Sequence, residues 1–421
     1  MSRPLWAAAI LGLLLRLAFS LGYWTHEPLT RDEREYLSLA RGIAAGRGFV
    51  YDADVLSGPV EPFGRAPGYP VFLALVGGGH GVAASVPTSV KIAQSLVGAL
   101  GVVAAGLFAN RLAGPAAGRA AAFIAACYPP LVWVSAYAYS EALVWPLGLA
   151  LAAMLDARSL KPPLDSRSGC PEQRRRAEAR VAPFLVLGLF TGAAMLIRPA
   201  MTFFAALGAG WLATRRSLVA AAALAIGAAM VVAPWTFRNY VHEQRLIFIA
   251  SEGGVTFWTG NHPLAIGEGD FAANPELSRQ NQLLRAAHPG RTEAEMEPVY
   301  YEEALAWIRE HPARWLALEL RKAFYLVVPV GPSYRLHSVK YFAASVISYA
   351  AILPAALVGV WRLRQLRRTS PGLIVLAGSA VVAALVFFPQ ERFRIPALDP
   401  VLIVCAGAVF GRSRGAETVP A

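Results

Sequence analysis

Apolar runs close to the roughly 20 residues that a helix needs to cross a bilayer recur along this chain, and no other feature constrains its folding more. Inside hydrocarbon the backbone groups must be satisfied within the segment, which a helix does. Of the 421 residues, 56% are hydrophobic and only 16% are charged. A soluble domain of this size carries about a quarter charged residues. The chain therefore reads as an all-α polytopic membrane protein. Its net charge of +12 sits in short loops between the apolar runs, as expected for Lys and Arg retained on the cytoplasmic side. No basic groove or RNA motif accompanies that charge, so nucleic acid is excluded as a partner. The three cysteines, Cys127, Cys170 and Cys405, are too widely spaced for a disulfide framework or a zinc site.

About ten spans are predicted, at 5–24, 91–109, 119–135, 141–156, 182–197, 199–213, 217–236, 341–361, 371–389 and 395–411. The stretch from Met1 to Trp24 resembles a signal peptide, with Arg3 ahead of its apolar part. It is long for one and carries Arg16, so an uncleaved first helix is expected. With a cytoplasmic N-terminus, Arg111, Arg119, Arg174 to Arg176, Arg180, Arg215, Arg216 and Arg362 to Arg368 all fall inside. Counting 315–330 as a span would move the last group outside. Its Glu319, Arg321 and Lys322 suit an interfacial helix instead. The chain divides into a transmembrane core (1–236, including a first outer loop at 25–90), a second outer loop with interfacial helices (237–340) and C-terminal spans (341–421). The polar stretch 157–181, with Pro162-Pro163, reads as a flexible cytoplasmic linker. No internal repeat is visible, which argues against an inverted-repeat transporter.

The run Pro389-Gln390-Glu391-Arg392-Phe393-Arg394-Ile395-Pro396 places three ionised side chains between two apolar segments at a membrane surface. Such charges are costly without a partner. Arg392 and Arg394 point to an anion, with phosphate the first candidate. In the first outer loop, Thr30 to Tyr36 opens an amphipathic surface helix. Asp32 reads as its N-cap, with Glu35 three residues later completing a capping box. A carboxylate fixed at a helix N-terminus also meets the needs of a general base. Arg65, in the turn Gly64-Arg65-Ala66-Pro67-Gly68-Tyr69-Pro70, is either a phosphate contact or a snorkelling anchor. Asp52-Ala53-Asp54 superficially matches the metal-binding acidic pair of nucleotide-sugar enzymes. Glu141 ends a span and needs a partner, and Arg198 sits at a tight outer turn. Arg238 follows Pro234-Trp235. Trp258 and Asn261, beside glycines, are either belt residues or a sugar platform with its hydrogen-bond partner.

His26, Glu27, Asp32 and Glu33 cluster in sequence and leave a divalent cation open as a cofactor. Under the predicted topology Asp32, Glu141, Arg198, Arg238, Arg392 and Arg394 face one side. That set suits displacement at a carbon whose leaving group is a lipid phosphate. Arginines would stabilise the departing charge, and a carboxylate would take the proton of the attacking group.

These elements occur in order: Asp32-Glu33 with Tyr36, Arg65-x-Pro-Gly-Tyr69-Pro, Ser140-Glu141, Arg198-Pro199, Pro234-Trp-x-x-Arg238-Asn-Tyr, Gly253-Gly with Trp258-x-Gly-Asn261, and Arg392-x-Arg394-x-Pro. Together they resemble the bacterial membrane glycosyltransferases of the GT-C fold, related to protein O-mannosyltransferases and aminoarabinose transferases (family 39-like). The resemblance implies a polyprenyl-phosphate-linked sugar donor and inverting transfer to a lipid, glycan or protein acceptor. It places the reaction on the extracytoplasmic side of the inner membrane. Asp32 matches the catalytic aspartate, with Glu33 beside it; Arg392 and Arg394 match the basic pair, and Arg238 the arginine of its element. Phosphate contact by Arg65, Arg198, Arg238, Arg392 and Arg394 is inferred from charge, and Glu141, Tyr69, Trp258 and Asn261 are candidates for positioning substrate. The chain departs from the pattern at Ala66, where a proline is common, and reads as lacking a large soluble domain after its last span. The acceptor is therefore left open. A flippase or transporter for lipid-linked sugars would share the charged pocket but transfer nothing. A non-catalytic scaffold would leave the outer-face charges unexplained.

Overall fold

The computed structural model describes residues 3–56, 64–81, 84–159, 171–215, 217–269, 271–328, 330–332 and 338–411, with backbone alone at 158–159 and 171–180. Among these residues every regular element is helical. Each of the predicted apolar runs forms a helix, but they are unequal in length. Arg3–Tyr23, Thr88–Ala113, Leu218–Glu243 and Val339–Gln365 are long and apolar enough to cross a membrane unbroken. Pro115–Cys127 and Pro129–Ala136 meet at a 62° bend, where Pro129 and Pro130 cannot supply the backbone donors that would continue the helix. Glu141–Ser159, Val181–Ile197, Pro199–Thr214, Pro371–Val386 and Leu398–Phe410 complete the set.

Two boundaries differ from expectation. The helix predicted to stop at 236 runs on to Glu243 and ends at Gln244 in the left-handed region (φ 51°). Its extra turns are polar but satisfied: Thr236 donates to the Phe248 carbonyl at 2.7 Å, and Asn239 to the Ile247 carbonyl at 3.2 Å. Residues 171–181, expected to be linker, are helical and lead into the next span. The remainder of that linker, with Pro162, Pro163 and Cys170, lies outside the described residues.

Arg16, buried inside the first helix, donates to the carbonyls of Gly12 (2.9 Å) and Ala125 (3.3 Å), which ties that helix to Pro115–Cys127. The segment kept out of the spans forms helix Pro312–Val327. Leu316, Leu320, Phe324 and Val327 form an exposed apolar stripe, while Leu318, Lys322 and Leu326 are buried on the opposite side. Two unlike faces are what an interfacial helix requires. Lys322 donates to Asn261 Oδ1 (3.1 Å), to Glu319 (2.7 Å) and to the Leu385 carbonyl (2.8 Å).

Asn261 is the hub of this junction. Its amide donates to the carbonyls of Phe257 and Val386, both at 2.9 Å, and its oxygen also accepts from Trp315 at 3.0 Å. Next to it, Gly260 lies so close to the Phe387 carbonyl that a Cβ would collide with it. Asn261→Leu should therefore destabilise the protein by about 2–4 kcal/mol, because it leaves buried donors and acceptors unmet. Thermal unfolding in detergent reads this directly; an unchanged midpoint would remove Asn261 from this role.

Candidate active site

The site begins with helix Arg31–Ala44. Its N-cap is Thr30, not Asp32 as expected. Thr30 Oγ1 accepts from the Glu33 backbone N–H (3.4 Å), and Glu33 Oε2 accepts from the Thr30 N–H (2.8 Å). The other Glu33 oxygen accepts from the Ala138 N–H at 2.9 Å. Glu33 thus serves the capping box and anchors the neighbouring chain, which leaves the Asp32 carboxylate facing a cavity.

There Asp32 sits between two guanidiniums, with Oδ1 2.7 Å from Arg65 Nη2 and Oδ2 2.7 Å from Arg392 Nη1. Arg65 is buried and serves three carboxylates. Besides Asp32, it donates to Glu35 Oε2 and Glu252 Oε2, each at 2.7 Å, and lies 5.0 Å from the Tyr36 ring. Glu252 arrives through a backbone hydrogen bond from Ser251 to the Gly64 carbonyl (3.0 Å). Gly64 packs so tightly on the Ser251 side chain that a Cβ has no room. The segments 25–90 and 237–340 are thereby pinned together at the site.

Burial alone would push the Asp32 carboxyl up, but the Arg65 and Arg392 charges outweigh it and hold it well below the usual carboxylate range. Burial pushes the Glu252 carboxyl up; Arg65 opposes this, while Asp32 and Glu35 reinforce it. Burial disfavours the Arg65 cation, yet its three carboxylates keep it firmly protonated.

A second charged pair lies alongside. Arg198 Nη1 is 3.0 Å from Glu141 Oε1 and 3.2 Å from Ser140 Oγ. The Phe393 ring stands 5.1 Å from both Arg198 and Arg392. All six groups, Asp32, Arg65, Glu141, Arg198, Glu252 and Arg392, line one cavity of about 860 Å³. The same cavity is lined by Ser379, Ala380, Ala383 and Ala384, a small-residue face of helix Pro371–Val386, and by Leu326 and Tyr341.

Other residues singled out by sequence lie elsewhere. Arg394 is buried against Asp399 (3.6 Å) with its guanidinium 3.9 Å from the Tyr349 ring. Arg238 stacks on Trp235 (4.9 Å) near a helix end. Tyr69 is a core residue that donates to Gln94 at 2.7 Å. Trp258 is 1% exposed in a core formed with Leu277, Met296 and Tyr300 and donates to Glu303 at 3.1 Å. Asn261 is the hub described above. Glu252, which sequence reasoning missed, completes the site; only the adjacent Gly253-Gly254 had marked its neighbourhood.

The carboxylates that the sequence left open for a divalent cation are engaged as follows. Glu33 is engaged at a cap and Asp32 by two guanidiniums, and no group of three metal-ligating side chains forms among the described residues. Asp52 instead joins Arg41 (2.5 Å) and Arg47 (2.6 Å).

No protein-family model matches this sequence, and neither does any curated protein. Solved structures do resemble it. The archaeal oligosaccharyltransferase AglB from Archaeoglobus fulgidus, in complex with an inhibitory peptide and a dolichol-phosphate, superposes with a TM-score of 0.55 at 13% identity. The alignment covers 96% of this chain and 50% of that one. The same archaeal enzyme tethered to an acceptor peptide gives 0.57 at 13% identity, covering 96% and 49%. ArnT from Cupriavidus metallidurans bound to undecaprenyl phosphate gives 0.42 at 14% identity over 96% and 77%. The chain spans about half the length of the archaeal transferase. Over that half it has the GT-C membrane fold.

Proposed function

We propose that this protein is an inverting glycosyltransferase that moves a sugar from a polyprenyl-phosphate donor to a lipid, glycan or protein acceptor at the extracytoplasmic face of the inner membrane. One observation carries the reading: a single cavity joins an arginine-held aspartate to a largely apolar, small-residue helix face. An isoprenyl chain is served by such a face, and its phosphate by Arg392 and Arg198. Asp32 takes the proton from the acceptor as the sugar carbon is attacked from the side opposite the phosphate. The arginines stabilise the charge that grows on the departing phosphate. Glu33 positions Asp32 by fixing the helix start. Shared fold with an enzyme captured with dolichol-phosphate supports the donor class.

A photoreactive polyprenyl phosphate tests this reading. Cross-links should fall on peptides from 371–386 and 387–397, and excess undecaprenyl phosphate should abolish them. Labelling confined to the exposed apolar surface, unchanged by competitor, would contradict a donor in this cavity.

A further inference from the structure

The two guanidiniums that hold Asp32 are not equivalent. Arg65 is 6% exposed and bound by three carboxylates, two from helix Arg31–Ala44 and one from the loop at Glu252, so moving it would strip a partner from each of them. Arg392 is 34% exposed at the cavity and, among the described residues, pairs with Asp32, with Gln390 accepting from its Nε at 3.2 Å. It stands on the single turn Glu391–Arg394, between extended Gln390 and the next span. Tyr139 and Phe393 each lie 5.1 Å from its guanidinium, so aromatic faces remain beside the cation if it turns away from Asp32.

A carboxylate gripped by two guanidiniums has little affinity for a proton and is a poor base. A base in this position needs one grip loosened, and a phosphate entering the cavity supplies a competing anion. We infer that Arg392 exchanges its partner, from Asp32 to the donor phosphate, so that Asp32 becomes a competent base only once donor is bound. The exchange breaks one ion pair and forms another; no covalent bond changes and no proton moves. Arg65 stays in place and keeps Asp32 aimed into the cavity, with Glu35, Glu252 and Tyr36 around it. The consequence is compulsory order, donor before acceptor activation. This inference rests on the proposed function, and it makes Arg392 both a phosphate ligand and the residue that times the base.

The exchange makes a prediction of unusual sign. Asp32→Asn removes the anion that competes for Arg392 and should tighten binding of undecaprenyl phosphate about tenfold, the low end of coupling between close charge pairs. Asp32→Ala should tighten it similarly, without the new amide donor of Asn. Arg392→Gln should weaken binding about tenfold or more, and adding Asp32→Asn to it should restore nothing. Binding would be measured on the full chain in nanodiscs, with melting curves confirming that each variant is folded. Binding to both Asp32 variants equal to or weaker than wild type would overturn the exchange while leaving the donor site standing. Failure of wild type to bind undecaprenyl phosphate would overturn the proposed function and the exchange together.

Discussion

Asp32→Asn is expected to lower sugar transfer by about a hundredfold or more, the scale of a lost general base. The substitution is nearly isosteric, and Arg65 keeps Glu35 and Glu252 as partners, so the protein should still fold and insert. Initial rates on purified wild type and variant, matched by amount of folded protein, give the comparison. Near-normal turnover by the variant would remove Asp32 from the chemistry. The ion pairs of Asp32 also bear on stability. Because its folded carboxyl lies below the ordinary value, their contribution is present above the unfolded range and fades only as pH falls toward the folded value. Acid sensitivity near pH 5 should therefore not originate at Asp32.

Arg65→Leu should be the most damaging substitution for the fold. It leaves Asp32, Glu35 and Glu252 close together without the cation at their centre. Removing one partner from a buried ion pair costs about 3–5 kcal/mol. Arg65→Lys should recover only part of this, because an ammonium cannot reproduce the planar fork that meets three carboxylates. The variant should also acquire a pH dependence. With the cation gone, protonation relieves carboxylate repulsion, so Arg65→Leu should melt higher at pH 5 than at pH 8. Melting midpoints of Arg65→Leu equal to wild type at both pH values would show that the cluster contributes little to the fold.

Much of this architecture was legible in the sequence because apolar length alone demands helices in a membrane. Charge placement put Asp32 and Arg392 on one face, and the fold brings these two together at 2.7 Å. The detail was lost for local reasons. Arg392 and Arg394 read as a pair in a loop, yet they occupy a helical turn, where residues two apart point in nearly opposite directions. One faces the cavity and the other faces Asp399. The capping box was placed two residues late because Thr30-x-x-Glu33 and Asp32-x-x-Glu35 are equally good matches by spacing. Distant contacts separate them: Glu33 accepts from Ala138, 105 residues away, while Arg65 and Arg392 engage Asp32 and Arg65 engages Glu35. The glycines beside Trp258 and Asn261 suggested access for a sugar. In the fold Gly260 permits close approach to Phe387 beside the buried Asn261, and Trp258 is buried against Leu277, Met296 and Tyr300. Glu252 lies 187 residues from Arg65, a separation that no local pattern can bridge.

Transfer of sugar by this cavity is distinguished from mere passage of lipid across the bilayer by where the label of a donor ends up. The most direct measurement uses wild type and Asp32→Asn in liposomes, supplied with radiolabelled polyprenyl-phosphate sugars and a membrane extract as acceptor source. Label should leave the lipid for a new product with wild type alone. Label that only changes leaflet, equally with both proteins, would contradict the account and make the protein a flippase.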